Sequence, residues 1–214
     1  MERHFNDGHI RVGPFDMDEL SDKALRLILN AEGLDQPAEW PGGQSGITIG
    51  IGYDLGYVTV DQFESDWGEV LDANTCTKLQ SCIGLRGSNA KARAGALSNI
   101  HIDRTEAEKV FEEQTLPMFM QRTEQAFPGV DDLPADAQGA LVSLVYNRGA
   151  SMIDNSPEDR RREMRAIRNA VARGDLQEIA DQLRAMKRLW IGKNLAGLIA
   201  RREAEAKLVE SCIK

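Results

Sequence analysis

Residues 32–56 read EGLDQPAEWPGGQSGITIGIGYDLG, and this stretch decides how the chain folds. It opens on a carboxylate, Glu32, and passes through a segment rich in proline and glycine at 34–46. That composition breaks both helix and strand, so a loop is predicted there. Residues 47–53 then alternate β-branched residues with glycine, the strongest strand signal in the protein. The glycines would leave one strand face open to another backbone or a ligand.

The rest of the chain has the periodicity of helices. Before the loop, apolar residues recur at helical spacing at Leu20, Leu25, Ile28 and Leu29. A helix is therefore predicted over 20–31, ending at Glu32, with Gly33 as its C-terminal cap. The longest later helix should begin with a capping box from Thr105 to Glu108. Further helices are predicted over 58–67, 74–83, 88–97, 105–126, 136–146, 157–172, 176–190 and 195–212.

Length and composition indicate a globular protein. The chain has 214 residues, of which 42% are hydrophobic, enough to bury a sizeable core. It contains no run of about 18 apolar residues, so no membrane span is predicted. Residues 1–19 lack the apolar run of a secretory signal, and we expect the chain to be made in the cytoplasm. They are interpreted as an N-terminal extension, and 20–214 as one folded domain.

The sequence has few residues suited to metal or cofactor binding. Its three histidines, His4, His9 and His101, are too scattered for a zinc site, so no metal is expected. Its three cysteines, Cys76, Cys82 and Cys212, fit reduced thiols. The glycines after residue 49 miss the dinucleotide spacing, and no phosphate-loop motif is present, so no nucleotide cofactor is expected.

Charge is distributed unevenly along the chain. The net charge is −8, but residues 158–207 carry thirteen Lys or Arg against eight Asp or Glu. Residues 1–157 carry twelve against twenty-five. A basic C-terminal part on an acidic protein could steer an anionic polymer, either nucleic acid or cell wall. A solvated helix surface would have the same composition.

Glu32, Thr48 and Asp54 form the best candidate for chemistry. Glycosidic cleavage needs one protonated carboxylic acid and one carboxylate that activates water or stabilises a cation. Glu32, flanked by small and apolar residues, could be shielded from water and act as the acid. Asp54 follows the strand, where a carboxylate stays ionised, and Thr48 could hold a water molecule. Taken alone, a glutamate at a helix end and an aspartate after a strand are far more often ordinary surface residues.

Three pieces of the sequence resemble bacteriophage-type lysozymes, most closely the pesticin-like branch. The specific piece runs from Glu32-Gly33 through Trp40-Pro41-Gly42-Gly43 and the Thr48-Ile49-Gly50-Ile51-Gly52 strand to Gly56. Residues 141–149, LVSLVYNRG, are similar to the family's central helix, and 197–205, GLIARREAE, to its last helix. The resemblance implies a mainly helical α+β fold, with a small β-hairpin lobe and a larger helical lobe around a cleft.

The same resemblance implies a catalytic domain over 20–214 that acts as a muramidase. Glu32 would be the general acid and Thr48 would lie near the attacking water. Many phage lysozymes carry an aspartate six residues before this threonine, where this chain has Gly42. Pesticin-like members use one six residues after it, which is the position of Asp54. Asp54 is therefore assigned as the second carboxylate, with Asp35 and Glu39 as alternatives in the loop.

Further residues are assigned to substrate binding or to bracing Glu32. The substrate-binding candidates are Trp40, Tyr53, Asn147, Arg148 and Arg202. For Asn147 and Arg148, a polar cap on the central helix is an equal alternative. Arg201 or Arg202 could pair with Glu32 across the cleft, although a surface ion pair is the commoner arrangement. Trp190 and Tyr146 are assigned to the core.

The expected partner is a peptidoglycan glycan strand, bound by a monomer, with no nucleic acid and no cofactor. Two other functions remain open: a non-catalytic peptidoglycan-binding protein with this fold, and a lytic transglycosylase, which needs the acid but no second carboxylate. The site of action would be the periplasm, reached by holin-type release or by injection. A phage endolysin and a bacterial toxin or effector both fit that setting.

Overall fold

The computed structural model describes residues 20–33 and 39–214, and these form a mainly helical α+β fold, as predicted. The expected N-terminal extension and the alternative carboxylate Asp35 lie outside the described residues. The helices and strands are α1 (Asp22–Ala31), β1 (Thr48–Ile49), β2 (Tyr53–Asp54), α2 (Val60–Trp67), α3 (Ala73–Gln80), α4 (Ser88–Ala94), α5 (Arg104–Val110), α6 (Leu116–Ala126), α7 (Ala135–Arg148), α8 (Arg162–Val171), α9 (Leu176–Ala185) and α10 (Ala196–Glu210).

Helix α1 places Glu32 at its C-terminal end. It begins after Ser21, whose hydroxyl accepts a hydrogen bond from the Ala24 amide at 3.1 Å. It ends because Glu32 adopts an extended backbone, with φ −103° and ψ 139°. Gly33 is not among the glycines with positive φ, so the left-handed cap predicted at Gly33 is wrong. The change of backbone direction therefore occurs at Glu32 itself.

The single strand predicted over 47–53 is instead a short antiparallel hairpin. Thr48 lies opposite Asp54, and Ile49 lies opposite Tyr53. Gly50 and Gly52 have φ of +54° and +66°, values that favour glycine, and they reverse the chain between the strands. The glycines make the turn and do not open a strand face. A Cβ on Gly52 would lie 2.0 Å from the Tyr146 hydroxyl, so the close approach there is by a side chain.

Two hydrophobic cores define two lobes. The smaller lobe contains the hairpin and helices α2 to α5, packed around buried side chains such as Phe63 and Trp67. In the larger lobe α7 is central, and every residue from 137 to 145 is buried. Helix α10 packs against α7, α9 packs against α10, and α8 packs against α9. Helix α1 joins the lobes, because Ala24 belongs to the larger core while Ile28 and Leu29 belong to the smaller one.

The long helix predicted over 105–126 is divided by a π-helical turn at Phe111–Thr115. Pro117 lies in the first turn of α6, directly after this π-helical turn. The predicted capping box is also wrong, because Asp103 is the cap and its carboxylate accepts from the Thr105 amide at 2.8 Å. π-Turns often mark functional positions in helices.

Other helix boundaries shift for local reasons. The helix predicted over 157–172 begins only at Arg162, because Asp159 has φ +43° and interrupts it. The helices predicted over 88–97 and 176–190 finish in 3₁₀ turns at Gly95–Leu97 and Met186–Leu189. All three cysteines are free thiols, as expected. Within the described residues, no helix combines the length and the apolar character needed to cross a membrane.

Candidate active site

Glu32 is held at the end of α1 by an ion pair with Arg201 of α10. The Arg201 Nη1 group donates a hydrogen bond to Glu32 Oε1. The Glu32 side chain is 22% exposed and that of Arg201 only 5%, so the pair lies at a lobe surface with its cation shielded from water. The Glu32 carboxylate is therefore oriented rather than free in solvent. Of the two arginines considered as partners, the structure pairs Arg201 with Glu32.

Arg201 is itself fixed by the central helix. Its Nε and Nη2 groups donate to the hydroxyl and carbonyl oxygens of Ser143, each at 3.1 Å. The Ser143 hydroxyl in turn donates to Glu205 Oε1 at 2.6 Å. A guanidinium with donors committed in several directions cannot swing away without breaking several bonds at once. Helix α7 therefore sets the position of Glu32 through Arg201.

Glu205 and Arg202 complete this buried network. Arg202 donates to Glu205 at 2.6 Å, and both side chains are fully buried. Burial raises the pKa of Glu205, and the cation of Arg202 and the hydroxyl of Ser143 act against that shift. Burial likewise lowers the pKa of Arg202. Arg202, predicted to bind substrate, is fully buried in the structure, where it pairs with Glu205 and lies over the Trp190 ring, and it does not reach the surface of the cleft.

A cleft of about 930 Å³ opens beside Glu32 and Arg201. It lies between α1 and the start of α10, and Asn147 at the end of α7 also lines it. Asn147 is thus placed where a substrate beside Glu32 would pass. Because the groove is open, a long polymer could lie along it with one of its bonds beside the Glu32 carboxylate.

Asp54 lies in a different environment. Its carboxylate accepts hydrogen bonds from the Gly46 amide at 2.9 Å and the Gly56 amide at 2.8 Å. Burial raises the pKa of Asp54, and these two amide hydrogen bonds and Arg86 act in the opposite direction. A Cβ on Gly46 would lie 2.3 Å from the same carboxylate, so this close contact requires glycine. Asp54 therefore braces the hairpin against the preceding loop.

The cavity lined by Asp54 is separate from the Glu32 cleft. It measures about 690 Å³ and lies between the hairpin and α6, with Gly52, Tyr53 and Phe119 in its wall. Among the described residues, Asp54 and Thr48 are not in the wall of the Glu32 cleft. Thr48 is 7% exposed and directly opposite Asp54 in the hairpin. Glu39, the alternative carboxylate, is exposed in the loop.

The aromatic candidates have structural contacts. Trp40 is half-buried, and its indole N–H donates to the Ser45 carbonyl at 3.1 Å, while Lys91 lies over its ring. Tyr53 is 8% exposed, and its hydroxyl donates to Asp66 at 2.7 Å. Trp190 is buried, as expected. Tyr146 is half-buried, and its hydroxyl donates to the Ile51 carbonyl at 3.1 Å.

Arg148 is a half-buried residue at the end of α7. Its guanidinium lies over the Trp190 ring, 5.1 Å from the centroid, and donates to the Arg160 carbonyl at 2.8 Å. It lines a second cavity beside the Glu32 cleft together with Arg160 and Arg161. Neither of these two arginines was predicted as a site residue. The three consecutive arginines at 160–162 are a local cluster of positive charge that could have identified them.

Ser143 and Glu205 were also not predicted as site residues from the sequence. Ser143 interrupts an apolar run at the centre of α7, and a polar residue there needs a buried partner. Glu205 follows Arg201 by four residues and Arg202 by three, the spacing of ion pairs on one helix face. Those two signals together could have indicated a buried polar network.

Residues 31–205 match the family model described as phage lysozyme. The chain therefore belongs to the phage lysozyme family. Membership indicates an enzyme that breaks down peptidoglycan, which agrees with a carboxylic acid held in an open cleft between helices. No curated protein matches the chain. The closer likeness to the pesticin-like branch stays a prediction.

Proposed function

We propose that the protein is an N-acetylmuramidase, which hydrolyses the bond between N-acetylmuramic acid and N-acetylglucosamine. The observation that carries this proposal is the Glu32–Arg201 ion pair in the wall of an open cleft of about 930 Å³. Glu32 would give its proton to the leaving glycosidic oxygen. Arg201 would then hold the carboxylate that remains through its hydrogen bond to Glu32 Oε1.

Thr48 and Asp54 would supply the second half of the reaction from the hairpin. In this proposal the Thr48 hydroxyl orients the attacking water, and the Asp54 carboxylate stabilises the positive charge that develops on the sugar. Their direct opposition across the hairpin supports a joint role. The amide hydrogen bonds from Gly46 and Gly56 would hold the Asp54 carboxylate in one orientation.

A lytic transglycosylase is the second candidate, and one observation favours it. Asp54 is committed to two backbone amides and lines a cavity other than the cleft beside Glu32. A transglycosylase needs only the acid, because the C6 hydroxyl of the muramic acid attacks C1 of the same sugar in place of water and gives its proton to the carboxylate that the acid has become. Glu32 and Arg201 alone would suffice for that reaction.

Analysis of the products distinguishes these functions. Purified protein is incubated with sacculi, and the released fragments are examined for reducing ends and by mass spectrometry. Muramic acid at the reducing ends supports the muramidase, whereas anhydro-muramyl ends establish the transglycosylase. Binding to sacculi without any release of fragments would contradict both and identify a non-catalytic binder.

We infer that the enzyme acts on the cell wall in the periplasm, after holin-type release or injection. The family match supports the cell wall as the target. Lysis that requires a co-expressed holin would support the first route. Lysis that occurs without a holin but needs a dedicated secretion system would support a toxin or effector instead.

A further inference from the structure

The Tyr146 side chain joins the two lobes of the protein. It belongs to the last turn of α7, the central helix of the larger lobe. Its hydroxyl donates a hydrogen bond to the Ile51 carbonyl at 3.1 Å, and Ile51 lies in the turn of the hairpin, in the smaller lobe. The two residues are 95 positions apart in the chain. This hydrogen bond therefore ties the hairpin to a helix of the other lobe.

Aromatic packing holds the Tyr146 ring in place. The ring meets that of Phe111 edge-on, with centroids 5.5 Å apart, and that of Phe119 with centroids 4.6 Å apart. Phe111 begins the π-helical turn before α6, and Phe119 lies in α6. Edge-to-face pairs at these separations are favourable. Because the half-buried ring packs against two others, its hydroxyl is held toward the hairpin.

The turn of the hairpin fits closely around this hydroxyl. Gly52 follows Ile51 and has φ +66°, a backbone conformation that favours glycine. A Cβ on Gly52 would lie 2.0 Å from the Tyr146 hydroxyl oxygen and 3.1 Å from Cζ of the same ring. Glycine at position 52 therefore serves both the backbone and the contact. A shift of the Tyr146 hydroxyl would displace the turn with it.

The same part of α7 also holds the proposed acid. Ser143 precedes Tyr146 by three residues, a spacing that makes the two side chains neighbours on the helix surface. The Ser143 hydroxyl accepts a hydrogen bond from Arg201, and Arg201 donates another to Glu32. One turn of α7 is thus connected to Glu32 on one side and to the hairpin on the other.

We propose that Tyr146 is a positioning residue for the hairpin that carries Thr48 and Asp54. Through its hydrogen bond to the hairpin turn, Tyr146 sets the distance from those two side chains to Glu32. The proposal rests on the muramidase function above, because it assumes that the hairpin and the acid act on one glycosidic bond. Tyr146 takes no part in proton transfer. Its effect is geometric, and a misplacement of about 1 Å can lower a rate by about a hundredfold.

Removal of a single hydroxyl tests the proposal. Tyr146→Phe keeps the aromatic ring and removes the hydrogen bond to Ile51. We expect kcat for release of reducing ends from sacculi to fall by about tenfold, while KM changes by less than about twofold. Tyr57→Phe is the matched control, because the Tyr57 hydroxyl also donates to a backbone carbonyl at 3.1 Å, that of Gln44, only 13 positions away. It should leave both constants unchanged.

The two kinetic constants separate positioning from other roles. An unchanged kcat in Tyr146→Phe would overturn the proposal. A rise in KM at constant kcat would also overturn it, because the hydroxyl would then be a substrate contact. An equal fall in kcat for Tyr57→Phe would show that the effect is not specific to the contact between the lobes, with the same consequence. Thermal unfolding checks that both variants are folded at the assay temperature.

Gly52→Ala provides a test by reversal of sign. Its added methyl group clashes with the Tyr146 hydroxyl, whereas in Tyr146→Phe the nearest ring atom is Cζ, at 3.1 Å. The strain from positive φ at position 52 is the same in both backgrounds. We therefore expect Tyr146→Phe to raise kcat by about threefold in Gly52→Ala, although it lowers kcat in the wild type. A further fall in the double variant would show that the hydroxyl does not fix the turn, and would overturn the proposal.

Hydrogen exchange keeps this inference distinct from the proposed function. Amide exchange of residues 48–54 is followed by mass spectrometry in the full-length protein without substrate. Tyr146→Phe should speed this exchange by about three- to tenfold, as expected for one lost hydrogen bond, and Tyr57→Phe should not. Unchanged exchange in Tyr146→Phe, with glycan cleavage by the wild type, would sink the positioning role alone. Faster exchange in Tyr146→Phe, with no glycan cleavage by the wild type, would sink the muramidase function alone.

Discussion

The carboxylate of Glu32 accepts a hydrogen bond from the guanidinium of Arg201, which lies 169 residues later in the chain. Arg201 is anchored on Ser143 of the central helix, so the position of the acid depends on α1, α7 and α10 together. A proton donor has to be positioned to within a fraction of an ångström of its target to be effective. The packing of these three helices therefore fixes the position of the Glu32 carboxylate at the edge of the larger lobe.

The first prediction concerns Arg201→Lys. Lysine keeps the charge but cannot donate to Glu32 and to both oxygens of Ser143 in the arginine geometry. We expect kcat on sacculi to fall by about tenfold or more while KM changes little, because binding surfaces remain intact. Steady-state release of reducing ends measures both constants. An unchanged kcat would show that the Arg201 contacts do not position Glu32.

The second prediction compares two buried glutamates. Glu205→Gln leaves Arg202 without its ion pair in the core, which should cost about 3 kcal/mol of unfolding free energy. It should also lower kcat, because Glu205 braces Ser143 and Arg201. Glu163→Gln removes a buried carboxylate paired with Arg188, away from Glu32, and should lower stability without changing kcat. Urea unfolding and sacculus assays test both, and a fall in kcat for Glu163→Gln would contradict this separation.

The third prediction is a dependence of stability on pH. Burial acts to raise the pKa of Glu163, but hydrogen bonds from Arg188 outweigh it, and the net pKa lies below its usual value. Glu163 stays ionised to lower pH in the folded protein than in the unfolded chain, so its stabilising effect is present above pH of about 4.3. That effect is lost as pH falls through the folded pKa.

Urea midpoints for wild type and Glu163→Gln measure this effect. Their difference should be largest near pH 7 and should shrink below about pH 4. A difference that is constant from pH 7 to pH 3 would show that ionisation of Glu163 contributes nothing.

The fourth prediction uses two glycines in helices. A Cβ on Gly139 of α7 would lie 2.0 Å from the Ala24 Cβ of α1. Gly139→Ala should therefore push α1 away, lower stability by about 1–3 kcal/mol and lower kcat by displacing Glu32. Gly197 of α10 has open space around it, so Gly197→Ala should stabilise by about 0.4–1 kcal/mol. If both variants have the same stability, the α1–α7 contact is not as tight as the structure shows.

The fifth prediction concerns the second carboxylate. Asp54→Asn should abolish hydrolysis if Asp54 stabilises the sugar cation, while Glu39→Gln at the exposed loop position should remain active. Reducing-end assays under identical conditions compare the two, and thermal unfolding reports the lost brace to Gly46 and Gly56. If only Glu39→Gln lost activity, the second carboxylate would be Glu39 in the loop and not Asp54.

Local patterns in the sequence predicted much of this structure. The periodicity at Leu25 and Ile28 identified α1, and the turn residues before Thr48 identified the loop. The position of Glu32 at a helix end followed from these two features. The family resemblance suggested that Arg201 or Arg202 could pair with Glu32, with a surface ion pair as the commoner alternative, and in the structure Arg201 forms the pair.

Other features depend on contacts between distant residues. Glycine at 50 and 52 fits an open strand face as well as a turn. In the structure both have positive φ, and they lie close to the side chains of Trp67 and Tyr146, which are distant in sequence. The Ser143–Glu205 hydrogen bond joins residues 62 positions apart, which no local pattern reports. The depth of Arg202 depends on how α10 lies against α7, so its burial could not be predicted from its charge.

The central claim is that Glu32 is the acid that cleaves the glycan. Glu32→Gln and Glu69→Gln, at an exposed glutamate outside the cleft, are compared for turbidity loss on outer-membrane-permeabilised cells and for release of reducing ends from sacculi. Glu32→Gln should lose activity by about a hundredfold or more while Glu69→Gln keeps it, and thermal unfolding checks that both variants are folded at the assay temperature. Wild-type activity in Glu32→Gln would contradict the claim.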